Sequence, residues 1–121
     1  MRPKDQGTGL ERWLLNRISQ GLPSLMAVRL AEHGQNDAGD LAILLNGEEA
    51  IIVEAKRRQQ LSAHAALAKA KAKAGKADLP WSVLCTIVVW DRPVLKEGNV
   101  RRSRVGEPVV IVGLNDFLGL L

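Results

Sequence analysis

The sequence predicts an α/β fold in which a mixed sheet of about five strands is flanked by helices. The apolar runs in residues 40–45 and 50–56 are continuous rather than alternating, which is typical of strands covered on both faces. Two longer segments, near residues 8–20 and 59–76, have helical character instead. A chain of 121 residues fits one domain with one core, so residues 1–121 are expected to form a single unit.

The first helix is expected to follow a loose leader of residues 1–7. Thr8 and Glu11 have the spacing of a capping box, which predicts a helix from Thr8 to about Gln20. At ~100° per residue, Glu11 falls inside the apolar arc of this helix rather than on its polar side. Glu11 therefore either caps the helix or points its carboxylate toward the sheet. The arc consists of Leu10, Trp13, Leu14, Leu15, Ile18 and Leu22.

Three strands follow, over residues 25–31, 40–45 and 50–56, and the first of them carries Arg29. The alanine-rich segment from Gln59 to about Lys76 is predicted to be a helix. Its small residues Leu61, Ala65, Ala68 and Ala72 form a narrow face that is expected to pack on the sheet.

The C-terminal third is predicted to begin with a nearly all-apolar, central fourth strand, from Ser82 to Trp90. Residues 91–108 are polar and basic, which indicates an exposed loop or an extended hairpin tip. A fifth strand over residues 109–112 and a short helix capped by Asn115 and Asp116 complete the expected fold.

The hairpin between the second and third strands has a register that can be tested by parity. Directly opposed residues of an antiparallel pair share a face, and faces alternate along each strand. A two-residue turn at Asn46-Gly47 would place Asp40 opposite Val53. An odd loop, or a bulge, places Asp40 opposite Glu54 instead, and this is the arrangement that we predict.

Charged residues at the ends of buried strands are costly unless they pair with each other or hold a metal ion. Asp40 and Glu54, opposed across a hairpin, supply the hard oxygen ligands that Mg²⁺ prefers, and the carbonyl of Ala55 could add another. Lys56 shares a face with Glu54 and could orient a water molecule and offset negative charge on a phosphate. Glu11 could supply a further ligand or hold a metal-bound water.

The charge distribution suits a polyanion. The chain has a net charge of +4, and seven basic residues but no acidic one lie between Glu54 and Asp78. A solvated helix face would give the same count, so a solubility role stays open for the stripe of Lys69, Lys73 and Lys76. The predicted phosphate contacts are Arg57, Arg58, Lys69, Lys73, Lys76, Arg101, Arg102 and Arg104.

Asp40 followed by Glu54-x-Lys56, in this order of strands, resembles the PD-(D/E)XK nuclease superfamily. Within it the chain is similar to the small Holliday-junction resolvases of archaea and phages. Gly7-x-x-x-Glu11 resembles their first-helix motif, and Arg29 and the segment Asn36–Asp40 resemble the phage members especially. Ala38 and Gly39 depart from the pattern, because they stand where the motif has its proline.

The resemblance implies a restriction-endonuclease-like core with Asp40 and Glu54 as ligands of Mg²⁺ or Mn²⁺. It implies Lys56 as the water-positioning or charge-stabilising group, Glu11 as the accessory acid and Arg29 as a DNA contact. It also implies a homodimer that cuts two strands of a four-way DNA junction. Two alternatives stay open: a related nuclease acting on flaps, ends or restriction-like targets, and a non-catalytic DNA-binding module in which Glu54 and Lys56 are only a salt bridge.

Cys85, the single cysteine, lies in an apolar run and is expected to be a buried structural residue. The sequence contains neither a signal peptide nor an apolar run long enough to span a membrane. We therefore expect no membrane association and a location in the cytoplasm of a bacterial, archaeal or phage-infected cell.

Overall fold

The computed structural model describes residues 3–22, 24–31, 34, 37–96, 99–104 and 107–121, and for residues 3–8, 94–96 and 99–104 it describes the backbone only. Three helices and seven strands occur in this part of the chain. Their order is α1 (Pro3–Gly21), β1 (Met26–Arg29), β2 (Leu41–Leu44), β3 (Glu49–Arg57), α2 (Ala63–Lys76), β4 (Ser82–Asp91), β5 (Pro93–Lys96), β6 (Asn99–Arg104), β7 (Val109–Ile111) and α3 (Leu114–Gly119).

The main sheet has five strands in the order β1-β2-β3-β4-β7. Only β3 and β4 run parallel, and the helix α2 makes the crossover between them. The other neighbours pair antiparallel, so the sheet is mixed. The predicted fold class is therefore confirmed, although the fourth strand is an interior strand beside the central one, β3. The strands β5 and β6 form a separate two-stranded hairpin.

Each face of the sheet has its own apolar core because the two longer helices lie on opposite sides. Leu10 and Leu14 of α1 pack with Leu41, Val53 and Val89 on one face. Ala74 of α2 belongs to the second core, which includes Leu30, Ala38, Ala42, Ala50 and Ile52. The small alanines let α2 approach the sheet closely, so both faces of β2 and β3 are covered, as their continuous apolar runs predicted.

The helix α1 begins at Pro3, five residues before the predicted start at Thr8. Proline suits the first turn of a helix, where its missing N–H costs nothing. The expected leader is therefore helical from Pro3 to Gly7, and Thr8 does not cap the helix. Met1 and Arg2 lie outside the described residues. Leu10 and Leu14 are buried as predicted, whereas Leu22 lies beyond the helix end and is exposed.

The helix α2 starts at Ala63 and presents a different face to the sheet from the one predicted. Ala65, Ala68 and Ala72 are exposed, and Leu61 precedes the helix. The buried side chains are Ala70 and Ala74. Alanine occurs all around this helix, so hydrophobicity could not single out the packed side.

Two expectations for the C-terminal third need correction. Asp91 was assigned to an exposed loop, yet it is the last residue of β4 and only 1% exposed. Residues after it form the hairpin β5–β6, in agreement with the expected extended tip. The N-cap of α3 is Gly113, so Asn115 and Asp116 lie inside the helix rather than capping it. Cys85 is buried as predicted, and burial raises the pKa of its thiol.

Among the described residues, no helix combines the length and the apolar character needed to cross a membrane.

Candidate functional site

The hairpin register brings Asp40 to the part of β3 that carries Glu54. Leu41 pairs with Val53 and Leu44 with Ala50, and Asp40 directly precedes β2, where its backbone N–H donates to the carbonyl of Val53 at 2.9 Å. The backbone N–H of Leu45 donates to the carbonyl of Glu49 at 3.0 Å, which leaves the three residues Asn46, Gly47 and Glu48 as the loop. The predicted odd loop is therefore confirmed.

The side chain of Asn46 explains why a three-residue loop forms despite the Asn-Gly sequence. Its Oδ1 accepts hydrogen bonds from the backbone N–H groups of Glu48 and Glu49, at 3.0 and 3.2 Å. Gly47 has a φ of +83°, a conformation that glycine adopts without steric cost. The asparagine thus stabilises the turn that sets the register of the two acids.

Gly39 brings the chain unusually close to β3 just before Asp40. Its φ is +151°, and a Cβ atom added there would lie 2.8 Å from Cγ2 of Ile52. Proline, with φ fixed near −65°, cannot adopt this conformation. Only glycine fits both the φ and the space at this position, which gives a local reason why no proline precedes Asp40.

The carboxylate of Asp40 is held by the backbone of β3. Its Oδ2 accepts a hydrogen bond of 2.7 Å from the N–H of Ala55. Burial raises the pKa of Asp40, and the negative charge of Glu54 raises it further, against the lowering effects of that hydrogen bond, Lys73 and Lys56. The N–H and C=O of one strand residue project to the same side, so the carbonyl of Ala55 also points toward Asp40.

Glu54 is buried, with 5% of its surface exposed, and two lysines contact the same carboxylate oxygen. Lys73 Nζ lies 3.1 Å from Oε1, and Lys56 Nζ lies 3.4 Å from it. The second oxygen, Oε2, is buried and has no hydrogen-bond partner in the described part of the chain. An unpartnered buried carboxylate oxygen is costly, which marks this atom as a place for a ligand.

Glu11 points from α1 toward the sheet, the second of its two predicted roles. Its Oε2 lies 3.7 Å from a guanidinium nitrogen of Arg29 on β1. Burial and the charges of Asp40 and Glu54 raise the pKa of Glu11, while Arg29 lowers it. The side chain of Arg29 is 20% exposed and lies beside Glu11, and its predicted contact with DNA stays a prediction. The capping role is excluded, because Glu11 lies well inside α1.

A cleft of about 180 Å³ separates the end of β3 from α2. Its charged lining is mostly basic, with Lys56, Arg58, Lys69 and Lys73 around the single acid Glu54. Lys76, in the last turn of α2, is exposed. The cleft thus combines a buried carboxylate with cations suited to a phosphate group.

Arg57, unlike the other predicted phosphate contacts, lies beside a buried acid. It pairs in register with Asp91 across the parallel strands β3 and β4. Its Nε lies 3.4 Å from Oδ2 of Asp91, and its side chain is 10% exposed. This guanidinium is directed at a buried acid rather than at solvent. The side chains of Arg101, Arg102 and Arg104 lie outside the described part of the structure.

Sequence reasoning assigned Lys73 to the DNA surface and missed its contact with Glu54. It also missed Asp91, the partner of Arg57. No sequence pattern singled out Lys73, because alanine occurs on every side of α2 and the burial of the neighbouring Ala74 is decided by contacts with the sheet. The signal for Asp91 would have been its position at the end of an apolar strand, the same argument that singled out Asp40 and Glu54.

Asp40 and Glu54 offer some, but not all, of the ligands expected for a hard divalent cation. Glu54 Oε2 has no hydrogen-bond partner among the described residues, and the charge of Glu54 raises the pKa of Asp40. Oxygen donors of this kind suit Mg²⁺, which keeps several waters and needs few protein ligands. Within the described residues, however, no three acidic, histidine or cysteine side chains converge as a metal-binding group. Glu11 as a third ligand therefore stays a prediction.

No protein-family model, curated protein or solved structure matches this chain. The resemblance to the PD-(D/E)XK superfamily consequently rests on the motifs and stays a prediction.

Proposed function

We propose that this protein is a metal-dependent, structure-selective DNA endonuclease that resolves four-way junctions. The observation that carries the proposal is the proximity of Asp40, at the start of β2, to the buried Glu54 on β3, whose charge raises the pKa of Asp40. Two acids brought together beside a basic cleft are expensive for a purely structural purpose. They are suited to holding Mg²⁺ or Mn²⁺ against a phosphodiester.

The proposed chemistry assigns each side chain a task. Asp40, Glu54 and the Ala55 carbonyl would hold the cation, which when bound would supply Lewis acidity toward a phosphoryl oxygen and a water molecule. Lys56, 3.4 Å from Glu54, orients the attacking water and offsets the charge that develops on the phosphate. Glu11 acts as an accessory acid at the edge of the site, with its carboxylate oriented by Arg29.

The proposed DNA surface extends outward from the cleft. Arg58, Lys69 and Lys76 are exposed along or beside α2, and the β5–β6 hairpin adds Arg101, Arg102 and Arg104. Contacts from such residues reach phosphates and carry little sequence information. This agrees with recognition of DNA shape. We further propose that the enzyme acts as a homodimer, because paired cuts at a two-fold junction suit a two-fold enzyme.

One observation favours the non-catalytic alternative. Lys56 and Lys73 already neutralise Glu54, and the described residues form no three-ligand metal group. A DNA-binding module in which two lysines surround the buried Glu54 would give the same contacts. Calorimetric titration with Mn²⁺ separates the two, since the module would bind none of the ion at Asp40 and Glu54.

The decisive experiment compares wild-type protein with Asp40→Ala on four-way, flap and linear duplex DNA in Mg²⁺. We expect symmetric paired nicks in the four-way junction from the wild type. In Asp40→Ala cleavage should fall by about 100-fold or more, while junction affinity is retained. Asp37→Ala, an exposed aspartate three residues earlier, is the matched control and should cleave normally.

Cleavage retained in Asp40→Ala would overturn the assigned site. A preference for flap or linear substrates would keep the nuclease and overturn junction resolution.

A further inference from the structure

The carboxylate of Glu54 has two lysines at one oxygen and none at the other. Lys73 of α2 donates a hydrogen bond of 3.1 Å to Oε1, and Lys56 of β3 lies 3.4 Å from the same atom. The second oxygen, Oε2, is buried and has no hydrogen-bond partner among the described residues. Both cations therefore neutralise Glu54 through a single atom, and the other atom is left for a ligand.

The charges around Glu54 are already balanced by side chains. Two negative and two positive charges meet here, on Asp40, Glu54, Lys56 and Lys73. The third acid, Glu11, has its own counter-charge in a guanidinium group at 3.7 Å. A divalent cation that enters alone is repelled by the two ammonium groups, and a phosphodiester that enters alone is repelled by the carboxylates. The two ligands attract each other, so each should bind better when the other is present.

Lys73 is the better placed of the two lysines to change its partner. Its side chain is 37% exposed, compared with 20% for Lys56, and it reaches Glu54 from α2, on the other side of the cleft from β3. Because the ammonium group stands on a long flexible stem, it can reorient without movement of the helix. A phosphate group in the cleft, which Arg58 and Lys69 also line, would give Lys73 a second charged acceptor within reach.

We propose that Lys73 exchanges Glu54 for a DNA phosphate, and that this exchange makes the binding of a phosphodiester and of a divalent cation cooperative. The exchange rests on the proposed function, since it requires the cation site at Asp40 and Glu54. Without DNA, Lys73 holds Glu54 and keeps the affinity for the cation low. With DNA, the phosphate draws the ammonium group of Lys73 away, and the full charge of Glu54 becomes available. Loading of the cation is thereby favoured on the DNA-bound protein.

Calorimetric titration of Mn²⁺ into the purified protein measures this cooperativity without any strand cleavage. The phosphodiester probe is dimethyl phosphate, which has the charge of a DNA backbone phosphate but is not a DNA substrate. It is compared with sodium chloride at the same ionic strength. In the wild type, dimethyl phosphate should tighten Mn²⁺ binding by about 5-fold or more, and Mn²⁺ should tighten the binding of dimethyl phosphate by the same factor.

Lys73→Met removes the ammonium group and keeps a long unbranched side chain. In sodium chloride this variant should bind Mn²⁺ about 10-fold more tightly than the wild type, because the ion no longer competes with Lys73 for Glu54. Dimethyl phosphate should then change the Mn²⁺ affinity little. The matched control is Lys69→Met, since Lys69 lines the same cleft from α2 but is exposed. The control should keep both the Mn²⁺ affinity and the cooperativity of the wild type.

Mn²⁺ binding by the wild type that is equally tight with and without dimethyl phosphate would overturn the exchange and leave the proposed nuclease standing. So would a Lys73→Met variant whose Mn²⁺ affinity and cooperativity match those of Lys69→Met. If no variant binds Mn²⁺ in either solution, the cation site itself is wrong, and both the proposed function and the exchange are overturned.

Discussion

Lys73 donates a hydrogen bond of 3.1 Å from Nζ to Oε1 of Glu54, across the gap between α2 and β3. It is closer to that oxygen than Lys56, which lies only two residues from Glu54 in sequence. The ammonium group of Lys73 is partly buried, so its charge is screened less than that of a surface lysine. Its positive charge also lowers the pKa of Asp40. Lys73 therefore acts on Asp40 and Glu54, whereas Lys69 and Lys76 of the same helix are exposed.

Replacing Lys73 by methionine should raise the pKa of Asp40 further, because a lowering charge is lost while burial and Glu54 still act. Titration of the Asp40 carboxyl carbon by NMR measures this directly. If the protein is a nuclease, cleavage should also fall by about 10-fold to 100-fold, as is typical when a residue that orients a ligand is removed.

Lys69→Met is the matched control, since Lys69 lines the same cleft one turn earlier on α2 but is exposed. Lys69→Met should leave the titration of Asp40 unchanged. Its main effect should be on DNA binding, where the slope of log K against log salt concentration should become shallower by about 1. Identical Asp40 titrations in both variants would refute a special role for Lys73.

The proximity of Asp40 to Glu54 could be predicted from sequence because side chains alternate with a period of two along a strand. The only open point is then whether the loop has an odd or an even number of residues. An even loop would put Asp40 and Glu54 on opposite faces of the sheet, and burying two separate acids is costly, so the odd loop is favoured. The position of Lys73 could not be predicted in this way. On a helix with alanine on every side, the packed face is decided by contacts with the sheet, and those are long-range.

Asp91 shows a second limit of sequence-based prediction. In the sequence, Asp91 is followed by Arg92 and Pro93, which are typical of a loop. Its partner Arg57 lies on the neighbouring strand β3, and the whole of α2 separates the two residues along the chain. The pair depends on the parallel register of β3 and β4, which no local pattern encodes. Predictions from sequence were most accurate where the relevant partner was close in the chain.

Asp40→Asn should stabilise the protein at neutral pH in the absence of metal. The pKa of Asp40 is raised above its ordinary value of 3.8, so the folded state binds the proton more tightly than the unfolded state. Between the two pKa values the unfolded state binds fewer protons, and stability therefore falls as pH rises. Asparagine removes the charge and can still accept the hydrogen bond from Ala55 through its side-chain oxygen.

The thermal unfolding midpoint of Asp40→Asn should exceed that of the wild type by a few degrees at pH 7, and this gain should vanish as pH falls toward 3.8. Asp37→Asn, at an exposed position, controls for the change in net charge. Added Mn²⁺ should raise the midpoint of the wild type and of Asp37→Asn but not that of Asp40→Asn. A pH-independent difference between Asp40→Asn and the wild type would contradict the raised pKa.

Asp91→Ala should destabilise the fold by about 3–5 kcal/mol, because removing one member of a buried ion pair leaves the charge of Arg57 without its acid. Asp91 is 1% exposed and lies 3.4 Å from Arg57, at the end of two parallel strands that carry Glu54 and its neighbours. Urea denaturation gives the free energy of unfolding, and equal m-values would show that the unfolded states are comparable.

Asp116→Ala provides a matched comparison, since Asp116 also forms an ion pair, with Lys71 at 3.1 Å, but its side chain is 29% exposed. That substitution should cost about 1 kcal/mol or less. The double variant Arg57→Met/Asp91→Ala should recover part of the loss, because the buried guanidinium that lost Asp91 is then gone. Equal losses in Asp91→Ala and Asp116→Ala, or no recovery in the double variant, would show that burial of the Arg57–Asp91 pair does not govern its contribution.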